Sequence, residues 1–397
     1  MRIPCFFLHR ICICAVVAFS AFALVTCSGS TTVSPTATKP ASNKAATLPN
    51  WVKMDSPDYG IHVFLWGNAP TTERDLNLAR EAGFKWVKQR FEWRYIEGNR
   101  KGTYEWNEPD RIVNAINKAG LKVIARVDNQ PKWARSDKIF PASGPPDNME
   151  DFGDFVYALV DRYKGRIQAY EIWNEPNLAR EWGNKQPNAA EYVKMLEVAY
   201  KAAKKADPNA LILSAGLSPT TASGAIATPD VEFLKQMYAA GAKDYFDLLG
   251  VHAAGYKAPP EMSPDDIAKD PKYNHGEAEL GRIYGFRHAE DLRAVMVQSG
   301  DANKQVAVLE FGWTSDDRPD SPYAWHAVSE KEKADYLVRA FKFAKERWSP
   351  WIGVMSAIYI PDPNWTKNDE QYYWSITNPD GSTRPAYDAL RSLLRLK

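Results

Sequence analysis

MEDFGDFVYALVDRYKGRIQAYEIW, residues 149–173, decides how the whole chain is read. Met149–Tyr163 has the apolar spacing of an amphipathic helix, and Gly165 stops it. Ile167–Trp173 is then a short, mostly apolar run of strand length, and it exits into Asn174-Glu175-Pro176-Asn177. A helix, a glycine stop, a strand and a polar strand end make one unit of an α/β architecture.

The same unit recurs on both sides. Upstream, Ile61–Trp66, Lys85–Phe91 and Leu121–Val127 read as strands, separated by helices at Thr71–Ala82 and Pro109–Ala119 with stops at Gly83 and Gly120. Downstream, strands are expected at Ala210–Ala215, Phe246–His252, Gln305–Phe311 and Ile352–Tyr359. The helices between and after them fall at Ala189–Lys205, Pro229–Ala240, Glu277–Gln298, Glu330–Arg347 and Pro385–Leu394. Eight strand–helix units predict a single α/β domain of the (β/α)8 TIM-barrel type. The rival is a doubly wound open sheet, which would carry a glycine-rich phosphate turn after its first strand. Gly67-Asn68-Ala69-Pro70 is not such a turn, and no GxGxxG or Walker pattern occurs, so no nucleotide cofactor is expected.

The formal net charge of +1 lacks the basic excess of a nucleic-acid binder. Fourteen tryptophans suit either a large aromatic core or the stacking of sugar rings. The four cysteines, Cys5, Cys12, Cys14 and Cys27, all precede the body of the chain, which excludes disulfides, thiolate metal sites and a cysteine nucleophile there. Residues 1–27 read as an export signal: Arg2, His9 and Arg10 form a basic start and Ile11–Thr26 an apolar stretch. Leu24-Val25-Thr26-Cys27 resembles a bacterial lipobox, which would anchor a lipid at Cys27. Cleavage after Ala21-Phe22-Ala23 and a retained membrane anchor are the alternatives. Residues 28–50, rich in Ser, Thr, Ala and Pro, read as a disordered tether. Residues 51–397 are expected to be one catalytic domain, a monomer, secreted or held on the outer face of the cell membrane.

In a barrel, chemistry gathers where strands end. Glu175 ends strand 4. Strand 7 reads Gln305-Val-Ala-Val-Leu-Glu310, an apolar run closed by one carboxylate. Burying such a group without a purpose costs several kcal/mol or forces its protonation. Two glutamates on strands 4 and 7 face each other across the mouth. About 5–5.5 Å between them makes a retaining glycosidase pair, and about 6.5–9.5 Å an inverting one. The six histidines, His9, His62, His252, His275, His288 and His326, form no HExxH, and there is no GxSxG elbow, so neither a metal nor a serine hydrolase is indicated.

Trp173-Asn-Glu-Pro176, with the second glutamate at the end of strand 7, resembles glycoside hydrolase clan A, which includes families 5 and 39. Trp93-Arg-Tyr-Ile-Glu-Gly-Asn-Arg-Lys-Gly-Thr-Tyr-Glu-Trp106 is similar to the loop after strand 2 in these families, and Tyr373–Tyr387 is similar to their C-terminal end. The resemblance implies a retaining enzyme acting on a β-linked polysaccharide or oligosaccharide (β-glucan, β-mannan, β-xyloside or an exopolysaccharide). A carbohydrate-binding pseudoenzyme on the same barrel is the alternative. Glu175 would be the acid/base, with its pKa raised by ionised Glu310, and Glu310 the nucleophile. Asn174 would hold the 2-hydroxyl, His252 would line the reacting subsite, and Tyr256 would hydrogen-bond the nucleophile. The chain departs from the clan in two places. Val87-Lys-Gln-Arg-Phe-Glu-Trp93 offers Lys88 or Arg90 where an arginine is usual, the two sharing a strand face. Strand 8 lacks the usual tryptophan, so Tyr359, Trp365 or Trp374 would floor the sugar site. Trp133 is either a sugar platform or loop packing, and Asp128 is a weaker candidate.

Overall fold

In the computed structural model, which describes residues 49–137 and 139–395, eight parallel strands close into a barrel in sequence order. They are β1 (Asp58–His62), β2 (Trp86–Glu92), β3 (Lys122–Asp128), β4 (Ala169–Ile172), β5 (Leu211–Ser214), β6 (Leu248–His252), β7 (Gln305–Phe311) and β8 (Ile352–Ala357). β8 pairs back onto β1, with Asp58 opposite Val354 and Ile61 opposite Ala357. The outer helices are α1 (Ala69–Ala82), α2 (Asn107–Lys118), α3 (Met149–Arg162), α4 (Ala189–Ala206), α5 (Asp230–Ala239), α6 (Ala289–Gln298), α7 (Glu330–Phe343) and α8 (Pro385–Leu394). The expected (β/α)8 barrel is therefore the observed one.

Strand residues alternate between two cores, as a period of two requires. Trp86, Ile124, Ala169, Leu213, Leu248, Ala307, Leu309 and Val354 fill the barrel interior together with Met54. Their strand neighbours pack outward against the helices. The bottom is plugged by Gln305, whose Oε1 accepts from the backbone N–H of Lys53 and Met54 and whose Nε2 donates to the carbonyls of Met54 and Ile352. Helix starts are capped by Asn148, Asn188 and Ser329, the last in a capping box with Glu332.

Three elements differ most from expectation, beyond small shifts at strand ends such as β8 stopping at Ala357. β1 lies earlier in the chain than Ile61–Trp66. Val63 N–H still donates to Lys88 O, but Leu65 N–H turns to the Gln89 side chain, so the apolar run leaves the sheet. The expected helix Glu277–Gln298 breaks into 3-10 turns at Ala278–Ile283 and Phe286–His288 before α6. Gly285 is fully extended there, and a helix cannot pass through it. α7 ends at Phe343 and widens into a π turn over Ala344–Trp348. The export signal, the Cys27 anchor and all but the end of the 28–50 tether lie outside the described residues.

Candidate active site

At the exit of β4 the backbone turns sharply. Trp173 and Glu175 both take positive φ, 71° and 42°, a region that non-glycine residues enter rarely and at a cost. The surroundings hold the turn. Glu175 N–H donates to Gly216 O, and the Asn177 side chain bridges to the carbonyls of Ser218 and Thr228 and accepts from Ser218 N–H. Buried Tyr192 pins β4 to β5, donating to Ile172 O and accepting from Ala215 N–H. Glu175 is thereby fixed in a cavity of about 520 Å³ at the barrel mouth, which Glu310 also lines.

Glu310 reaches that cavity through an irregularity. Ala307 and Leu309 already point inward, so simple alternation would send Glu310 out toward the helices. The β6–β7 register slips between Val251 and His252, and the β7–β8 register between Val308 and Phe311. The slip turns Glu310 inward, a common use of a bulge beside a functional site. Gly250 lets β6 fit: a Cβ there would lie 2.1 Å from Ser214 O and 2.7 Å from Leu309 Cδ1.

Four nitrogens approach Glu310, each nearest to Oε1. Lys88 Nζ is at 3.1 Å, Arg126 Nη1 at 3.5 Å, His62 Nδ1 at 3.8 Å and His252 Nε2 at 4.0 Å. Burial would raise the carboxyl pKa, but the surrounding charges, led by Lys88, hold it well below the usual carboxylate range. Glu310 is thus a largely buried, ionised carboxylate that lines the cavity with Oε1 tied down. Of the two candidates on β2, the structure brings Lys88 to Glu310. Arg90 turns instead to Asp128, at 3.3 Å, and to Glu92, at 3.2 Å, although it still lines the cavity. Asp128 also takes Arg126 Nε at 2.6 Å.

Glu175 has both oxygens occupied. His252 Nδ1 lies 3.2 Å from Oε1, and Arg180 Nη2 donates to Oε2 at 2.9 Å. The expected upward pKa shift is not found. Burial and Glu310 push it up, but the hydrogen bond from His252 and the charge of Arg180 outweigh them, so the carboxyl sits below its ordinary value. Next to it, burial and the charge of Glu175 push Glu181 up to about 7. His252 reaches toward both glutamates because residue 216 is glycine. A Cβ there would lie 2.2 Å from the His252 ring.

Asn174 is buried in the cavity wall with no partner for Oδ1. Tyr359, Trp365 and Trp374 all line the cavity. Phe64 joins the first two, with ring centroids 5.3 Å from Tyr359 and 4.5 Å from Trp365. Two expectations fail. Tyr256 lines the cavity as expected but does not reach Glu310; its hydroxyl faces Pro219 O and its ring packs among Tyr284, Trp325 and His326. It lies past the strand end, in a loop that folds onto this aromatic cluster. Tyr359, whose hydroxyl pKa is raised first by burial and then by the charge of Glu310, is the better placed tyrosine. Trp133 does not line the cavity. Its indole donates to Glu97 O at 2.7 Å and its ring stands edge-on to buried Trp93, so it is loop packing. Sequence reasoning missed His62, Arg126, Arg180 and Glu181. His62 and Arg126 fall on inward strand positions, a usable signal once β1 is placed correctly. Arg180 and Glu181 lie on a 3-10 turn (Ala179–Glu181) and carry none.

A closed (β/α)8 barrel with glutamates at the ends of β4 and β7 sharing one cavity defines a clan A glycoside hydrolase. The chain belongs to the cellulase family, glycosyl hydrolase family 5, whose family model matches residues 41–247, a span that holds Glu175 but stops short of Glu310. It is 32% identical over 126 residues to a beta-xylosidase of Geobacillus stearothermophilus, covering 29% of this chain and 25% of that protein. Its fold is similar to a family 39 glycoside hydrolase from Bacteroides cellulosilyticus WH2, with a TM-score of 0.64, 21% identity, and coverage of 86% of this chain and 64% of that one. It is also similar to a family 39 beta-xylosidase from Caulobacter crescentus, with a TM-score of 0.60, 17% identity, and coverage of 86% and 72%. The chain thus spans about a quarter of the xylosidase from Geobacillus and under two thirds of the Bacteroides hydrolase.

Proposed function

We propose that the protein is a retaining β-glycosidase that cleaves a β-linked polysaccharide or oligosaccharide by double displacement. One observation carries the reading: Glu310 is ionised with Oε1 held by Lys88 and Arg126, and it lines the same cavity as Glu175. Glu310 Oε2 attacks the anomeric carbon while Glu175 gives its proton to the leaving oxygen. Water then attacks the glycosyl–enzyme ester as Glu175 takes a proton from it. Asn174 Oδ1, buried without a partner, is suited to accept from the 2-hydroxyl, since leaving it empty costs about 1–3 kcal/mol. Phe64, Tyr359 and Trp365 give the reacting sugar an aromatic floor. The likeness to a beta-xylosidase puts β-xylosides first among the substrates to try. The basic, apolar and cysteine-containing start of the chain favours work outside the cytoplasmic membrane, with a lipid on Cys27.

The test is a product screen of the full chain on β-xylosides, β-glucans, β-mannans and aryl β-glycosides, beside Glu310→Gln. Proton NMR of the first sugar released reports its anomeric form. Release of the β-anomer by wild type, and its loss in the variant, is the expected result. Release of the α-anomer means an inverting enzyme. Binding without cleavage of any glycoside means a carbohydrate-binding pseudoenzyme.

A further inference from the structure

The acid/base role assigned to Glu175 meets an obstacle in the empty site. A general acid must present an O–H to the leaving oxygen, yet both oxygens of Glu175 already accept hydrogen bonds that favour the ionised form. His252 Nδ1 occupies Oε1 at 3.2 Å, and Arg180 Nη2 occupies Oε2 at 2.9 Å. Loss of one of them favours the protonated form that the reaction needs. His252 is locked: its side chain is 5% exposed, and it packs against Gly216 and reaches toward Glu310. Arg180 is free to move, at 68% exposed, held at the rim by a three-residue turn. A second carboxyl group is within its reach, since Arg180 Nε is already 3.9 Å from Glu181 Oε1.

We propose that Arg180 is a gate on the leaving-group side: it clamps Glu175 in the empty site and is displaced toward Glu181 by the incoming leaving-group sugar, which opens Oε2 for a proton. The inference rests on the acid/base reading of Glu175. Protons balance over the cycle. Glu175 gives one to the leaving oxygen as the C1–O bond breaks and Glu310 bonds C1, and it takes one from the attacking water as that ester bond breaks. When product leaves, Arg180 returns and the proton on Glu175 passes to solvent. The other groups facing Glu175 do not duplicate this action. Glu310, from β7, only opposes its ionisation. Glu181, on the same turn as Arg180, feels Glu175 as a like charge. Tyr256, Tyr323 and Tyr359, from the loops after β6, β7 and β8, are themselves shifted up, by burial first and by Glu175 among their charged neighbours, and stay neutral. Arg180 is therefore a positioning residue, acting through Glu175.

Two readouts test the gate, with Arg180→Gln as the variant and Arg180→Lys as the conservative rescue. The first needs no turnover: carbon-13 NMR titration of glutamate carboxyls in the full chain, with Glu175 assigned by its loss in Glu175→Gln. The Glu175 midpoint is expected to rise by about one pH unit in Arg180→Gln, the lower end of the range for a lost cationic neighbour because Arg180 is exposed, and to stay near wild type in Arg180→Lys. The second is the basic limb of the pH–rate profile on a β-linked disaccharide. In wild type the limb for kcat, which reports the filled site, is expected at higher pH than the limb for kcat/KM, which reports the empty one. In Arg180→Gln the two converge. Coincident limbs in wild type overturn the gate, and so does an unmoved NMR midpoint. A chain that hydrolyses no glycoside defeats the activity reading instead, while the NMR titration still decides whether Arg180 holds Glu175.

Discussion

Lys88 Nζ lies 2.9 Å from Glu171 Oε2 inside the barrel, with neither side chain exposed, and the same nitrogen is 3.1 Å from Glu310 Oε1. One ammonium thus serves two buried carboxylates, the deeper on β4 and the upper at the site. Removing one member of such a group leaves uncompensated charge and costs about 3–5 kcal/mol. Lys88→Met is expected to lose stability of that order by urea denaturation. It should also move the acid limb of kcat/KM to higher pH, because Glu310 works ionised and Lys88 is the leading charge that keeps it so. Adding Glu171→Gln should recover much of the stability and leave the acid limb displaced. An acid limb that stays put in Lys88→Met would remove Lys88 from the nucleophile's environment.

Glu181 illustrates what the site costs the fold. Its pKa is raised from 4.5 to about 7 by burial first and then by Glu175. The folded chain holds this proton more tightly than the unfolded chain. The group is therefore neutral in the fold up to about pH 7, and the penalty for ionising it develops as pH rises above the unfolded value of 4.5 and is complete above 7. Glu181→Gln is expected to stabilise the protein at pH 8 by roughly 2–3 kcal/mol and to change nothing near pH 4. Thermal melts of both forms across that range decide it. Equal differences at both ends would show that the gain is packing rather than ionisation.

Trp133 and Trp365 separate platform from packing. Trp133 is bonded to Glu97 and edges onto Trp93, outside the cavity, while Trp365 lines it beside Phe64 and Tyr359. Trp133→Ala should cost about 3 kcal/mol or more in denaturant stability. Below its melting range it should leave KM within a factor of two. Trp365→Ala should raise KM for oligosaccharides about tenfold, with a smaller effect on stability. Reversed effects would relocate the sugar platform to Trp133.

What was legible follows from which signals are local. β7 and α8 were read to the residue because polar or proline punctuation marks both ends: Gln305 and Glu310, Pro385 and the close of the chain's apolar pattern. Both glutamates were legible because a carboxylate closing an apolar run has few structural uses. Depth and aim were not legible. Lys88 and Arg90 share a strand face, and only the packed barrel shows that Lys88 sits at the level of Glu310 while Arg90 turns to Asp128. Arg126, opposite Arg90 in the register, bends the other way to Glu310. Tyr256 and Tyr359 both follow strand ends, and the fold of the loop after β6 carries the first away from the nucleophile. Arg180 stands on an exposed turn, where an arginine looks like any surface residue until its partner is seen.

Gly216 offers the sharpest separation of site from fold. It carries no positive φ, so an alanine there meets no backbone strain. What an added methyl meets is His252, with Cδ2 and Nε2 each 2.2 Å from the ideal Cβ position. The ring has to give, and it is the group between Glu175 and Glu310. Displacing it breaks the hydrogen bond to Glu175 Oε1 and carries Nε2 away from Glu310 Oε1. Misplacement of a catalytic group by about 1 Å costs on the order of 100-fold in rate. Gly216→Ala is therefore expected to lower kcat about 100-fold while the cooperative unfolding transition is kept, with an overpacking loss of about 1–3 kcal/mol. Because His252 helps hold Glu175 ionised, its displacement should also raise the Glu175 titration midpoint. Near-native kcat in Gly216→Ala would show that the position of His252 is not what sets the rate.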